Sequence, residues 1–321
     1  MTAMDGPLVQ VSGLKKSYGS IPALRGADLE VRAGERYGLI GPDGAGKTTL
    51  LRILCGLVVS DGGEVRVLGH DPVTETHKIK DGIGYMPQRF SLYPDLTVAE
   101  NLRFFADLYR VPAAQRESRT ARLLEFSRLG PFRDRRAGAL SGGMKQKLAL
   151  SCTLVHTPQL LILDEPTTGV DPVSRGEFWD ILDELKAEEG VTQLVTTPYM
   201  DEASRCDRVQ LMYQGSSLAE GSPAEVAASF PGRLVRVYTA DPYAAAGSLK
   251  RTGKFQSVQL FGDRIHVVVE PAQAAVPGVM AIVAQIRQIL EQAAIPFTDL
   301  HEARPDLEDI FVQRIGEITN D

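Results

Sequence analysis

The octapeptide "GPDGAGKT", Gly41 to Thr48, has the spacing G-x-x-x-x-G-K-S/T. Before it stands "RYGLIG", an apolar run that stops at glycine and reads as a buried strand. After it comes "KTTLLRILCGL", in which Leu50, Leu51, Ile53, Leu54 and Leu57 recur at helical spacing. Strand, Gly-rich turn and helix together form a phosphate-binding unit. The glycines let successive backbone N–H groups turn inward around phosphate oxygens, and the helix N-terminus beneath favours negative charge. Lys47 then reaches the β- and γ-phosphates, and the Thr48 hydroxyl is placed to ligate Mg²⁺. The plainer alternative is a Gly-rich turn that only joins strand to helix.

A second stretch argues for the phosphate reading. "LLILDEP", Leu160 to Pro166, is an apolar strand that delivers Asp164 and Glu165 at its carboxyl end. In open α/β sheets that end is where ligands bind. Asp164 would hold Mg²⁺ through its water shell, and Glu165 would polarise an attacking water as general base. "LSGGMKQKLAL", Leu140 to Leu150, places a Ser and two glycines at another helix N-terminus. That is a second anion-binding nest, and one chain does not need two for one triphosphate. A helix cap made by Ser141 is the bland reading of the same residues.

These pieces together resemble the ATP-binding cassette ATPases, the nucleotide-binding subunits of ABC transporters. Matches to the family pattern run from about Leu8 to Gly221. The resemblance implies ATP and Mg²⁺ as ligands. It implies that Gly41, Asp43, Gly44, Ala45, Gly46, Lys47, Thr48 and Thr49 surround the phosphates, and that Tyr18 in "KSYGS" stacks on adenine. Gln88, in "GYMPQRFSLYPDLTVAENL", matches the loop that senses Mg²⁺ and γ-phosphate and links them to the membrane subunit. Mg²⁺ would thus be held by Thr48, Gln88 and Asp164, partly through water. Asp171 in "TTGVDP" matches a loop that crosses between subunits; as a plain helix cap it would do without that role. Ser141, Gly142, Gly143 and Gln146 match the signature that closes over ATP held by the opposite subunit.

Two positions depart from the family pattern. Asp43 stands where members often carry Asn, which puts a carboxylate near phosphates and reads as a modest cost to affinity. The pattern Thr-His-x-x-x-Glu-Ala is here "TTPYMDEA", with Pro198 in place of the histidine that contacts the γ-phosphate. Proline has neither a side-chain donor nor a backbone N–H. A site built on this chain's own phosphate loop is therefore expected to hydrolyse slowly or chiefly to bind ATP. Two assemblies stay open: a homodimer in which Glu165 suffices, or a heterodimer in which Ser141 to Gly143 complete a site on a second ABC ATPase.

Composition bounds the rest. The 321 residues are 43% hydrophobic and 24% charged, enough for one large and one smaller domain. A net charge of −6 and the lack of any long Lys/Arg run argue against a nucleic-acid partner. Cys55, Cys152 and Cys206 are too dispersed for a disulfide framework or a zinc site, which fits a reducing cytosol. No apolar run approaches the roughly 20 residues of a membrane span, and "MTAMDGPLVQ" lacks the layout of a secretory signal.

Strands alternating with helices predict an α/β fold: a P-loop NTPase cassette with a mainly parallel sheet covered on both faces, an antiparallel part and a helical subdomain. The cassette is expected over residues 1–225, with the helical subdomain at about 89–158. Past "EGSPAEVAASFPGR" the pattern changes. Residues 230–321 read as a small α+β domain in the order βαββαβ plus a final helix, with a hairpin at Gly262-Asp263 and helices on one face of the sheet.

"GVDPVSRGEFWDIL", "YMDEA" and the closing "ARPDLEDIFVQRIG" resemble the drug-exporter, ABC-2 type branch of the family. That implies separate transmembrane permease subunits docked in a groove near Gln88 and segment 89–105. It also implies a place on the cytoplasmic face of the inner membrane. The competing class is an ABC ATPase acting on ribosome or DNA without transport, against which the acidic charge and single cassette stand. A nucleotide kinase would share the phosphate loop but gives no reason for "LSGG" or Gln88.

Overall fold

The computed structural model describes residues 6–89, 92–269 and 279–320, and the chain divides into two compact units after Pro223. The first unit opens with β1 (Val9–Tyr18) and β2 (Ile21–Val31), followed by β3 (Arg36–Ile40), α1 (Lys47–Leu54) and β4 (Gly62–Val67). Next come α2 (Thr76–Ile79), β5 (Ile83–Met86), α3 (Val98–Leu108), α4 (Ala113–Phe126) and α5 (Gly142–Leu154). The unit is completed by β6 (Leu160–Asp164), α6 (Pro172–Glu189), β7 (Thr192–Thr197), α7 (Met200–Ala203), β8 (Arg208–Tyr213) and β9 (Ser216–Gly221).

The main sheet has the order β5-β6-β7-β3-β8-β9, parallel throughout except for the last strand. Every residue of β3, β6 and β7 is buried, because strands covered on both faces need unbroken apolar or internally bonded side chains. A separate antiparallel sheet, β2-β1-β4, packs its apolar face into the same core as Leu50, Leu51, Ile53 and Leu54 of α1. The pairing of β4 with β1 joins segments some fifty residues apart in the chain and is an addition to what the pattern foretold.

Register fixes the site. Ile40 pairs with Thr197, and Asp164 with Thr196. Gly41, Pro198 and Glu165 therefore leave three adjacent strands at one level, although they are far apart in sequence.

Helices α3 and α4 break at Pro112, which caps α4. Thr97 and Glu100 form a reciprocal capping box at the start of α3. The fully buried Asn101 fastens the preceding segment by donating to the carbonyls of Tyr93, Leu96 and Thr97. Phe90 and Ser91, within the segment expected to line the groove, lie outside the described residues. Among the described residues no helix is long and apolar enough to cross a membrane.

The second unit begins within the first turn of α8 (Pro223–Ala228). It contains β10 (Arg233–Thr239), α9 (Pro242–Arg251), β11 (Ser257–Phe261), β12 (Arg264–Val269), α10 (Val279–Gln292), β13 (Phe297–Ala303) and α11 (Leu307–Asn320). The strands form one antiparallel sheet in the order β11-β12-β10-β13. Val235, Val237, Ile265 and Val267 pack on one face with Leu249 of α9 and with Ile286 and Leu290 of α10.

The expectation of helices on one face only is corrected here. Arg236 and His266 alternate with those valines and pair across the strands, so they point to the other face. There His266 Nδ1 lies 2.5 Å from Asp309 Oδ1, and Arg236 donates to Asp306 at 2.8 Å. Thus α11 is tied to the second face by the buried His266–Asp309 contact and the partly buried Arg236–Asp306 ion pair, which a pattern of apolar residues does not report.

Candidate functional site

The phosphate loop owes its shape to glycine. Gly46, the residue capping α1, has φ 103°, and a Cβ there would stand 2.5 Å from the Ala23 carbonyl oxygen. Gly44 also has positive φ, at 78°. A Cβ on Gly41 would stand 2.3 Å from the Met212 carbonyl oxygen. Within the loop Ala45 is buried and bonds back to Pro42, Asp43 is exposed, and Thr49 is half-buried. Lys47, only 3% exposed, donates to the carbonyls of Gly41 at 2.6 Å and Pro42 at 3.0 Å. Tyr18 stands at the end of β1, 48% exposed, with the Lys16 ammonium 5.8 Å from its ring centroid.

Asp164 ends β6 beside this loop. Its Oδ1 accepts from the Thr48 hydroxyl at 3.0 Å and the Thr196 hydroxyl at 2.9 Å. Burial raises its pKa above the usual carboxylate value, against the opposing pull of those two hydrogen bonds. Its Oδ2 is buried with no hydrogen-bond partner. An orphaned carboxylate oxygen next to a threonine hydroxyl is a hard-oxygen donor set of the kind Mg²⁺ takes, so the residues fit that ion.

Glu165 is the centre of the arrangement. Its Oε1 lies 3.0 Å from Lys47 Nζ, and its Oε2 accepts from Gln88 Nε2 at 2.9 Å and from the Thr168 hydroxyl at 3.3 Å. Its backbone is left-handed, φ 50°, a conformation that costs a non-glycine residue roughly 1–3 kcal/mol. Two bonds from its N–H, to the Thr196 carbonyl and the Thr196 hydroxyl, hold that turn. The carboxylate is 5% exposed and faces three donors, which fix where its two oxygens point.

Pro198 follows β7 immediately and contributes no donor to this cluster. The corner is closed by Thr197, whose hydroxyl accepts from the Tyr199 N–H and donates to Glu202. Glu202 also accepts from the Thr167 hydroxyl. Sequence reading had singled out none of Thr167, Thr168, Thr196, Thr197 or Glu202. The available signal was the threonine pairs: Thr196-Thr197 directly after Leu194-Val195, and Thr167-Thr168 after the Asp164-Glu165-Pro166 that ends the run Leu160–Leu163.

The structure brings Lys47, Thr48, Gln88, Asp164 and Glu165 into one contact network. It sets the signature apart: among the described residues no hydrogen bond or ion pair joins Ser141, Gly142, Gly143 or Gln146 to the phosphate loop. Ser141 caps α5 by accepting from Met144, and Gly143 packs so tightly on α6 that a Cβ would stand 2.4 Å from Ser174 Cβ. Asp171 caps α6, and the Ser174 N–H it accepts holds its carboxyl below the usual range. Both residues thus perform the capping role, with Gly142 exposed at the tip of α5.

The family model described as "ABC transporter" matches residues 24–168. The probable multidrug ABC transporter ATP-binding protein YbhF of Escherichia coli (strain K12) is 41% identical over 318 residues. That match takes in 98% of this chain and 53% of YbhF, so the chain spans about half of that relative's length. The Nod factor export ATP-binding protein I of Paraburkholderia xenovorans (strain LB400) is 37% identical over 321 residues, covering 99% of this chain and 100% of the relative. Among solved structures, cbiO1 from Clostridium perfringens, part of the ABC transporter complex cbiONQ, superposes with a TM-score of 0.65 at 28% identity, over 70% of this chain and 92% of that one. A dimeric ATP-binding cassette in a post-hydrolysis state with ADP and Pi gives a TM-score of 0.61 at 29% identity, over 67% and 98%.

Proposed function

The chain belongs to the ATP-binding proteins of ABC transporters, and we propose that it is the ATP-hydrolysing subunit of an ABC-2 type exporter of drug-like or lipophilic molecules. The observation that carries this reading is Glu165, buried at a strand end and held by Lys47, Gln88 and Thr168. In this reading Lys47 releases Glu165 and the loop carbonyls to meet the β- and γ-phosphates, while the loop N–H groups and the N-terminus of α1 hold the remaining phosphate charge. Glu165 accepts hydrogen-bond donation from the attacking water and takes its proton. Thr48, Asp164 and Gln88 are the residues that would hold Mg²⁺, which supplies charge neutralisation across the phosphate oxygens. Tyr18 offers its exposed ring to the adenine.

Two such cassettes close head to tail, so that Ser141, Gly142, Gly143 and Gln146 of one meet the nucleotide bound on the other; the pair is two copies of this chain or this chain with a second ABC ATPase. The separation of signature from phosphate loop within one chain supports that assembly. Closure moves permease helices docked near Gln88, with the cassette lying against the cytoplasmic face of the inner membrane. Efflux follows from the different affinities of closed and open states. Pro198 removes one contact to the developing charge, a loss worth on the order of 10² to 10³ in rate, so turnover at this site is slow.

Mg-ATP turnover of the purified chain against protein concentration, with Glu165→Gln and Pro198→His alongside, tests the reading. Slow turnover that rises faster than linearly, vanishes in Glu165→Gln and increases in Pro198→His is the expected result. ATP binding with no turnover until Pro198→His restores it would assign catalysis to a partner ATPase, and absence of ATP binding would overturn the reading.

A further inference from the structure

Glu202 is a carboxylate, 3% exposed, that the hydrolytic reading leaves unused. It lies on α7, just past the corner that carries Pro198. Its Oε1 accepts from the Thr167 hydroxyl at 2.7 Å and its Oε2 from the Thr197 hydroxyl at 2.5 Å. Thr167 stands two residues beyond Glu165, and Thr197 directly precedes Pro198. One side chain therefore spans the ends of β6 and β7, two of the three strands whose exits build the hydrolytic site.

A third element reaches the same carboxylate. Arg175 of α6 places Nε 3.7 Å from Glu202 Oε1, and that Nε is buried with no hydrogen-bond partner. The Arg175 guanidinium carbon lies 4.2 Å from the centroid of the ring of Tyr199, the residue after Pro198. The first turn of α6, capped by Asp171, carries Ser174 against Gly143. Glu202 thus sits where the turn after Glu165, the corner at Pro198 and the helix behind the signature converge.

Burying an acid is costly unless donors surround it, and an apolar residue would fill the volume without that cost. An acceptor with two oxygens does what an apolar residue cannot: it sets the separation of the two hydroxyls it bridges. Proline at 198 has no side-chain donor, so the corner is held against the Glu165 turn through the neighbouring Thr197 hydroxyl and its bond to Glu202. We propose that Glu202 is a positioning residue, which with Thr167, Thr197 and Arg175 fixes the placement of Glu165 and ties it to the helix packed on Gly143. The proposal rests on the hydrolytic role of Glu165.

The test uses the full chain and two readouts. Glu202→Gln keeps the volume but leaves one accepting oxygen; Thr167→Val removes a single tie, and Thr167→Ser retains it. Misplacement of a reacting group by about 1 Å costs on the order of 10²-fold. Glu202→Gln should therefore lower kcat for Mg-ATP roughly 10- to 100-fold with KM changed less than about threefold. Thr167→Val should lower kcat in the same direction, Thr167→Ser should match wild type, and the double variant Glu202→Gln/Thr167→Val should lose less than the product of the two. In amide hydrogen exchange without nucleotide, segments 164–170 and 197–203 should exchange faster in Glu202→Gln and Thr167→Val while β3 and α1 stay unchanged. That local response in a chain with no turnover of its own would overturn the hydrolytic reading and leave the tie standing. Unchanged kcat with unchanged exchange would overturn the proposal. So would a uniform rise in exchange with a lowered melting point in both variants, since Glu202 would then serve the fold alone.

Discussion

Lys47 and Glu165 lie 3.0 Å apart, Nζ to Oε1, with only 3% and 5% of their side chains exposed. Removing one partner of a buried pair leaves the other charge uncompensated, which costs about 3–5 kcal/mol. Lys47→Met should therefore destabilise the nucleotide-free chain by that amount, and adding Glu165→Gln should recover most of it. Urea unfolding followed by Trp179, the chain's one tryptophan and buried in α6, reads both variants. Additive losses in the double variant would show that the two groups are energetically independent.

At Gly46 the backbone has φ 103° and a Cβ would meet the Ala23 carbonyl oxygen at 2.5 Å. Both the conformation and the contact reject a side chain, so Gly46→Ala should shift the loop off β2 and open the phosphate cradle. The expected outcome is a loss of ATP affinity of at least about 100-fold, together with a stability loss of roughly 1–3 kcal/mol. Titration with ATP and Trp179-detected unfolding measure the two effects separately.

Gly142 and Gly143 are neighbours with opposite tolerances. Nothing lies within 4 Å of a Cβ built on Gly142, whereas one on Gly143 meets Ser174 Cβ at 2.4 Å. Overpacking of this kind costs about 1–3 kcal/mol. Gly143→Ala should be destabilising by that amount and be relieved in part by Ser174→Gly, while Gly142→Ala stays within about 0.5 kcal/mol of wild type. Thermal unfolding of the three variants decides it, and equal effects at both glycines would refute the packing account.

His156, two residues beyond α5, donates from Nε2 to the Ile83 carbonyl at 2.9 Å and stacks on Tyr109 with centroids 4.0 Å apart. Burial holds its pKa below the ordinary 6.5, with the Ile83 bond and the Asp81 charge pulling upward and Arg119 downward. Because the folded pKa is the lower one, the unfolded chain takes up a proton first as the pH falls. The contribution of His156 is full above about 6.5 and is lost as the pH drops toward the folded value. The melting-point advantage of wild type over His156→Gln should therefore narrow between about pH 7.5 and 5.5. A constant difference across that range would rule out the linkage.

The phosphate loop, the β6 strand and the helix at Ser141 were legible in the sequence because each is a contiguous segment whose conformation follows from local chemistry. The glycines at 44 and 46 adopt positive φ, and the apolar run Leu160–Leu163 is buried on both sides. Pro112 marks the break between α3 and α4 for the same local reason. The face occupied by α11 was misread because His266 and Arg236 look like solvent-facing positions in an alternating strand. Their carboxylate partners, Asp309 and Asp306, are 43 and 70 residues away in the chain.

Which residues can touch phosphate was thus written in short motifs, since a nest of backbone N–H groups needs only a few consecutive residues. How the Glu165 carboxylate is held was not. Glu165 takes a left-handed backbone, and its partners come from β3's loop, from the turn after β5 and from β7. Glu202 gathers Thr167 from the turn after β6, Thr197 from the end of β7 and Arg175 from α6. These meetings exist because the strand order β5-β6-β7-β3 and its register put distant segments side by side, and hydrogen bonds between buried groups form only where folding has already removed the water that would otherwise satisfy them.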